Sequence, residues 1–90
     1  MISGGARSRA RDEDSSASIR GALGVLARAS VGERNHCLFW VACRLGEAVR
    51  TRAITESEGY ALLLSVGRQV GLLDHEILRT AKSGFREVLQ

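Results

Sequence analysis

Residues 32–52, GERNHCLFWVACRLGEAVRTR, contain the pattern that decides the predicted fold. The apolar residues of this stretch recur at helical spacing on one side: Leu38, Val41, Ala42, Leu45 and Val49. A second stripe occupies the opposite side: His36, Trp40, Cys43 and Glu47. A helix with bulky apolar groups on two sides is typical of a central element. We therefore expect this stretch to form the central helix of the domain.

Polar residues mark the start of this helix. Ser30 stands three residues before Glu33, which is the spacing of a capping box, whereas Asn35 is an alternative cap. The helix is expected to end near Arg52.

The whole chain divides into two parts. Residues 1–17 carry Gly, Ser and blocks of opposite charge with almost nothing to bury, which predicts a disordered leader. Residues 18–90 are expected to form a single helical domain. Its first helix is expected to run from a cap at Ser18 or Ser16 to about Ala29.

Two further helices are predicted after the central one. Residues 55–58, TESE, form a capping box with two acids in the first helical turn, and Gly71 is a suitable stop for that helix. Asp74 is expected to cap the fourth helix. This last helix either ends early at Ser83-Gly84 or continues to Val88.

The chain shows no sustained alternation of apolar and polar residues, so we expect an all-α protein without a sheet. Short links between the helices predict a small antiparallel bundle of four helices, or of three plus a weak first one. The first helix is the weakest because Gly21 and Gly24 each cost about 1 kcal/mol of helix propensity relative to Ala.

The amino-acid composition gives less information about the function than about the fold. Thirteen basic residues against ten acidic ones give a net charge of +3, which does not by itself identify a nucleic-acid binder. Two Cys without a hydrophobic leader predict a protein of the reducing cytoplasm. The longest apolar run, residues 37–43, is too short to span a bilayer, so no membrane partner is expected.

The side chains that bind zinc or act as nucleophiles do not form a recognisable site. The candidates are His36, Cys37, Cys43 and His75. His36 and Cys37 diverge by about 100° on a helix, and structural zinc usually takes ligands two to four residues apart. No phosphate-binding Gly loop or other catalytic motif is present. We therefore predict no enzyme activity, no metal and no cofactor.

The fourth helix carries the clearest electrostatic feature. His75, Arg79, Lys82 and Arg86 follow one another at steps of four, three and four residues, and no acid interrupts them. Such a row is either a solvated helix face or a track for a phosphate backbone. We call these four residues the basic row.

Three more residues are candidates for contact with a partner. Arg34 and Asn35 either satisfy helix ends within the fold or present donors to a nucleotide or phosphate. Trp40 is either covered by the first helix, with Leu23, Val25 and Leu26, or forms an interface with a partner or with a second copy of the chain.

The ordered set GERNHCLFWVACRLGE, VGLLDHE and RTAKSGFR resembles the small helical module of primase–polymerase proteins. Those are replication proteins of phages, plasmids and integrated elements, especially in actinobacteria. The matching positions are Gly32, Arg34, Asn35, Leu38, Ala42, Leu45, Gly71, Leu72, Thr80, Ser83 and Gly84. One departure is Gly59, where the family tends to have Ala.

The resemblance implies a bundle that helps a primase or helicase to engage template DNA and nucleotide. This chain has neither the catalytic primase domain nor a helicase motor, so no activity is implied. The leading hypothesis is a non-catalytic module of DNA replication or priming that binds DNA through the basic row, Arg34 and Asn35. The alternatives are an interaction or homodimerisation module that uses Trp40, and a helix-turn-helix regulator built from the third and fourth helices.

Overall fold

The computed structural model describes residues 17–90, which form an all-α bundle. Helix α1 comprises residues 17–27. A short 3-10 helix, Val31–Glu33, leads directly into α2, Arg34–Arg50. Helices α3, Glu56–Gln69, and α4, Asp74–Leu89, follow, and no strand occurs in these 74 residues (17–90). The predicted fold class is confirmed.

Contacts between the helices give their directions. Ser18, at the start of α1, accepts a hydrogen bond from the Arg44 guanidinium, in the second half of α2, at 3.3 Å. Residues 28–33 join the end of α1 to the start of α2, so the two helices run antiparallel. Glycine 67 lies against Ile77 and Gly59 against Phe85, so α3 and α4 are antiparallel as well. Gly84 lies against Ala42 and Gly46 against Val88, so α2 and α4 run parallel. Sequence neighbours therefore alternate in direction.

The central helix predicted from residues 32–52 is α2. Its stripe of Leu38, Val41, Ala42 and Leu45 is fully buried, whereas Val49 is half-buried. The same core receives residues from the other three helices: Ala22, Leu26, Leu63, Ile77, Ala81 and Phe85. Because α2 contributes the longest continuous stripe, the other helices are arranged around it.

Helices α2 and α4 pack closely where two small residues meet. A Cβ atom added to Gly84 would lie 2.6 Å from the Cβ of Ala42 and 3.2 Å from the backbone carbon of the same residue. Real Cβ atoms do not approach so closely, so only glycine fits at this crossing without a shift. Gly84 is thus a packing residue inside α4, which continues through it to Leu89.

The predicted boundaries of α3 are confirmed in detail. The amide of Glu58 donates to Thr55 Oγ1 at 3.1 Å, and the amide of Thr55 donates to Glu58 Oε1 at 2.7 Å, which completes the capping box. At the other end Gly71 has a φ of 93°. Its amide bonds the Arg68 carbonyl at 3.1 Å, and the Leu72 amide bonds the Gly67 carbonyl at 2.9 Å, which is the Schellman pattern.

Helix α2 ends in the same pattern without a glycine. The amide of Arg52 bonds the Val49 carbonyl at 2.9 Å, and the amide of Ala53 bonds the Ala48 carbonyl at 2.8 Å. Arg52 occupies the left-handed position, with a φ of 66°. The helix itself ends at Arg50, two residues before the predicted end.

The predicted caps of α2 were wrong, and so was Ser18 as the cap of α1. Ser18 lies inside α1, and the alternative cap, Ser16, is outside the described residues. Ser30 precedes the 3-10 helix but its side chain makes no capping hydrogen bond, and Asn35 is the second residue of α2. The 3-10 turn before α2 takes the place of a side-chain cap, because the Glu33 amide donates a backbone hydrogen bond to the Ser30 carbonyl at 2.9 Å.

The predicted cap of α4 was also displaced. Leu73 is the N-cap residue, and its amide donates to Glu76 Oε1 at 3.0 Å. Asp74 is the first helical residue and instead accepts two hydrogen bonds from the Arg68 guanidinium, both at 2.7 Å. Because that guanidinium lies at the end of α3, the carboxylate closes the turn between the helices rather than capping α4.

The predicted leader falls almost entirely outside the described residues. Residue 17, which was assigned to it, belongs to α1, and that helix ends at residue 27 rather than near Ala29. Within residues 17–90 no helix has the length and apolar character needed to cross a membrane.

Candidate functional site

The basic row lies on the exposed side of α4, as the sequence predicted. Packing against α2 and α3 buries the opposite side of the helix: Ile77, Ala81, Gly84 and Phe85. The members of the row are all exposed: His75, Arg79, Lys82 and Arg86. From the first to the last, the row extends about 16 Å, at about 1.5 Å per residue. It therefore presents three permanent charges and one imidazole along a single edge.

The charges of the row are not neutralised within the described fold. The two ion pairs in residues 17–90 join Arg44 to Glu47 at 3.4 Å and Arg68 to Asp74 at 2.7 Å, and neither involves the row. Exposed pairs of this kind contribute little to stability, so their absence from the row costs the fold little.

The acids of α4 are engaged elsewhere. Asp74 is held by Arg68, and that hydrogen bond lowers the pKa of the Asp74 carboxyl below its usual value. Glu76 accepts the amide of Leu73 at the start of the helix. Glu87 faces α2, where its charge helps to raise the pKa of the Cys43 thiol. The row is therefore free of carboxylates on its own helix.

Arg34 and Asn35 lie in the first turn of α2, at the end of the bundle where α4 begins. Asn35 is exposed and Arg34 is half-buried. The Nη1 atom of Arg34 is 3.9 Å from the position of a Cβ at Gly71, so the guanidinium rests against the α3–α4 turn. Its Nε atom is buried and has no hydrogen-bond partner among the described residues. Since α2 and α4 run parallel, both residues lie at the same end of the bundle as His75.

A cleft that the sequence did not predict lies beside the row, between α3 and α4. Its volume is about 330 Å³ and its lining combines two members of the row with four other residues: Glu56, Tyr60, Lys82, Phe85, Arg86 and Leu89. A signal for it existed in the sequence, because Gly71 marks the turn of an antiparallel helix pair. Residues equally far from the centre of that turn lie opposite each other, and counting outward from Leu72 places Gly59, the neighbour of Tyr60, opposite Phe85.

Glycine 59 shapes the floor of this cleft. A Cβ at this position would lie 2.8 Å from Cζ of Phe85, so the missing side chain admits the phenyl ring against α3. The rings of Tyr60 and Phe85 then meet edge to face, with centroids 4.9 Å apart and planes at 64°. The Ala that is typical of the resembled family would push this ring away unless α3 and α4 separated.

The Trp40 side of α2 is only partly covered. Its side chain is 44% exposed, so α1 does not bury it as the simpler of the two predictions required. The Arg44 guanidinium lies 5.8 Å from the centre of the indole ring, within the range of a cation–π contact. Phe39 and Val25 are partly exposed as well.

Neither cysteine has the surroundings of a nucleophile. Partial burial and the charges of Glu87 and Glu47 raise the pKa of the Cys43 thiol, which therefore stays protonated at neutral pH. Cys37 packs against the core. In the described part of the chain no three His, Cys, Asp or Glu side chains gather as a metal site would require.

Comparison of the chain with protein-family models, with curated proteins and with solved structures gives no match. The resemblance to the primase–polymerase module consequently stays a prediction from the residues quoted above.

Proposed function

We propose that this chain is a non-catalytic helical module that binds nucleic acid through the phosphate backbone and supports DNA replication or priming. The observation that carries the proposal is the basic row: three exposed permanent cations on one helix edge with no ion pair among residues 17–90. The resemblance to primase–polymerase modules supplies the replication context and names a primase or helicase as the expected protein partner.

The charge of the row sets the expected salt dependence. Each phosphate that is neutralised releases counterions, so three contacts give a slope of log affinity against log salt of about −2.7 for duplex and −2.1 for a single strand. Affinity should then fall about 20- to 40-fold between 50 and 200 mM salt. The imidazole of His75, at the start of the row, offers a further hydrogen-bond donor for phosphate.

Arg34 and Asn35 extend this surface at the end of the bundle where the row begins. The Arg34 side chain is half-buried and its guanidinium rests against the α3–α4 turn, which restricts its position. Guanidinium groups bind phosphate through two parallel hydrogen bonds, which suits an anchor at the end of a row of less ordered cations. We assign Arg34 this anchoring role and the exposed amide of Asn35 a supporting contact.

A charge-reversal experiment tests the proposal. The variant Arg79→Glu, Lys82→Glu, Arg86→Glu should lose binding to single-stranded or primed DNA, measured by fluorescence anisotropy at low salt. The matched control reverses three exposed arginines outside α4 and changes the net charge equally: Arg20, Arg28 and Arg50. Circular dichroism checks that both proteins fold.

Two results would contradict the proposal. Equal loss of binding in both variants would mean that net charge, not the row, attracts DNA. Unchanged binding in the row variant would exclude α4 as the contact surface.

Self-association through Trp40 is a second candidate function, favoured by the 44% exposure of that side chain. Large exposed apolar side chains are enriched at protein interfaces. Trp40→Ala should then convert a dimer into a monomer in analytical ultracentrifugation. A wild-type protein that sediments as a monomer at high concentration rules out the dimer.

A helix-turn-helix regulator is not favoured by the packing of α3 on α4. In that motif the two helices cross at about 90–120° and separate beyond the turn. Here the helices touch near the turn, at Gly67 and Ile77, and again far from it, at Gly59 and Phe85. Sequence-specific binding to duplex DNA would be the observation that restores this alternative.

A further inference from the structure

The cleft between α3 and α4 has the chemistry of a site for a flat, partly polar group. We propose that it receives an unpaired nucleobase from a nucleic-acid strand whose phosphates lie on the basic row. This proposal rests on the proposed function and adds to it a preference for single strands over duplexes.

The walls of the cleft supply an ordered aromatic surface. Phe85 is only 2% exposed and forms the floor, while Tyr60 is half-buried and Leu89 is 38% exposed. The edge-to-face contact with Phe85 restrains the Tyr60 ring. An aromatic ring that is already held in place loses little entropy when a base stacks on it, and every base has a face that stacks.

The rim of the cleft has opposite charges on its two sides. Lys82 and Arg86 stand on the α4 side, and the carboxylate of Glu56 stands on the α3 side. A matching ligand is therefore anionic at one end and donates hydrogen bonds at the other. A nucleotide of cytosine or adenine meets both conditions, because its phosphate is anionic and its exocyclic amino group is a donor.

The size of the cleft limits what enters. At about 330 Å³ it lies at the lower end of the range for ligand sites, about 300–1,000 Å³, so it holds one base rather than an extended stack. Two side chains belong both to the cleft and to the row, namely Lys82 and Arg86. A base in the cleft is therefore next to a phosphate that the row binds.

This arrangement discriminates between strands and duplexes. The bases of a duplex are stacked and paired, and taking one out costs a few kcal/mol, whereas a single strand already offers unpaired bases. The row alone binds both forms through phosphate. Only the cleft adds a contribution that depends on a free base.

A nucleic-acid strand and a free mononucleotide both have a base and a phosphate that suit the cleft. A substitution at Arg79 distinguishes these two ligands. Arg79 belongs to the row but does not line the cleft. Arg79→Glu should weaken the binding of a strand, which reaches along the row, and leave the binding of a mononucleotide unchanged. Equal effects on both would mean that the ligand does not extend from the cleft along α4.

The deciding experiment compares three nucleic acids on the full chain: a short cytosine oligonucleotide, an abasic strand of the same length, and a duplex. The wild-type protein should bind the cytosine strand most tightly. Tyr60→Leu should lower that affinity by about 5- to 150-fold, the range measured for base–aromatic stacking, and should leave abasic binding unchanged. Tyr60→Phe, which keeps the ring, is the matched control and should bind like the wild type.

A fluorescence reporter keeps the test decisive if Tyr60→Leu fails to fold. The chain has one Trp and one Tyr, so Trp40→Phe combined with Tyr60→Trp places the only indole in the cleft. A bound base should quench this indole, while Trp40 in the wild-type protein should respond little.

Equal binding of cytosine and abasic strands, without quenching, would overturn the cleft proposal but leave the proposed function standing. Absence of binding to all three nucleic acids would overturn both.

Discussion

Arg52 adopts a backbone conformation that glycine would adopt at lower cost. Its φ of 66° places it at the left-handed position of a Schellman ending, where α3 has Gly71. The left-handed conformation costs an L-residue roughly 1–2 kcal/mol. Arg52→Gly removes that cost. The glycine also increases the conformational entropy of the unfolded chain, which lowers the stability gain by roughly 0.5–1 kcal/mol. The net expectation is a gain of about 0.5–1 kcal/mol in the free energy of unfolding.

Thermal and urea unfolding followed by circular dichroism measure this gain. For a domain of this size the melting temperature should rise by about 2–8 °C, with an unchanged urea slope. Arg52→Ala is the control, because it removes the exposed side chain and keeps the strained backbone, so its stability should hardly change. Gly71→Ala should destabilise, since its φ of 93° is unfavourable for any side chain. If Arg52→Gly is no more stable than Arg52→Ala, the backbone explanation fails.

Two further predictions concern packing and pH. Gly84→Ala should cost about 1–3 kcal/mol through overpacking, and Ala42→Gly in the same chain should recover part of that loss in urea unfolding, because the added methyl meets the Ala42 methyl. Asp74→Asn should lower the free energy of unfolding at neutral pH but not in strong acid. The hydrogen bond from Arg68 lowers the pKa of the Asp74 carboxyl in the folded protein. Such a carboxyl stabilises the fold at pH values above its unfolded pKa, and this stabilisation is lost as the pH falls through the folded pKa. Urea midpoints at several pH values measure that difference, and a constant gap across pH would contradict it.

The sequence predicted best those features that depend on neighbouring residues. Thr55 and Glu58 lie within one turn, and Gly71 needs only its own backbone conformation, so both ends of α3 could be located from local chemistry. The apolar stripe of α2 was predictable for a similar reason, because helical periodicity identifies a buried side whatever covers it.

Features that depend on distant residues were missed. Asp74 was the better capping side chain in isolation, but the Arg68 guanidinium from the preceding helix binds it with two hydrogen bonds. Burial of Trp40 required a helix that reaches it, and periodicity cannot say how far α1 extends over α2. The cleft depends on two helices meeting, so Glu56 and Tyr60 on its α3 side carried no signal when that helix was considered alone.

The glycine contact between α2 and α4 also sets the axial register of the two helices. If α4 slid along α2 by one turn, about 5.4 Å, Thr80 or Val88 would face Ala42 in place of Gly84. Both are β-branched, and the gap that Gly84 leaves has no room even for a methyl group. A slide of one turn in either direction is therefore blocked, and the distance from Arg34 to each cation of the basic row is maintained by a residue that has no side chain.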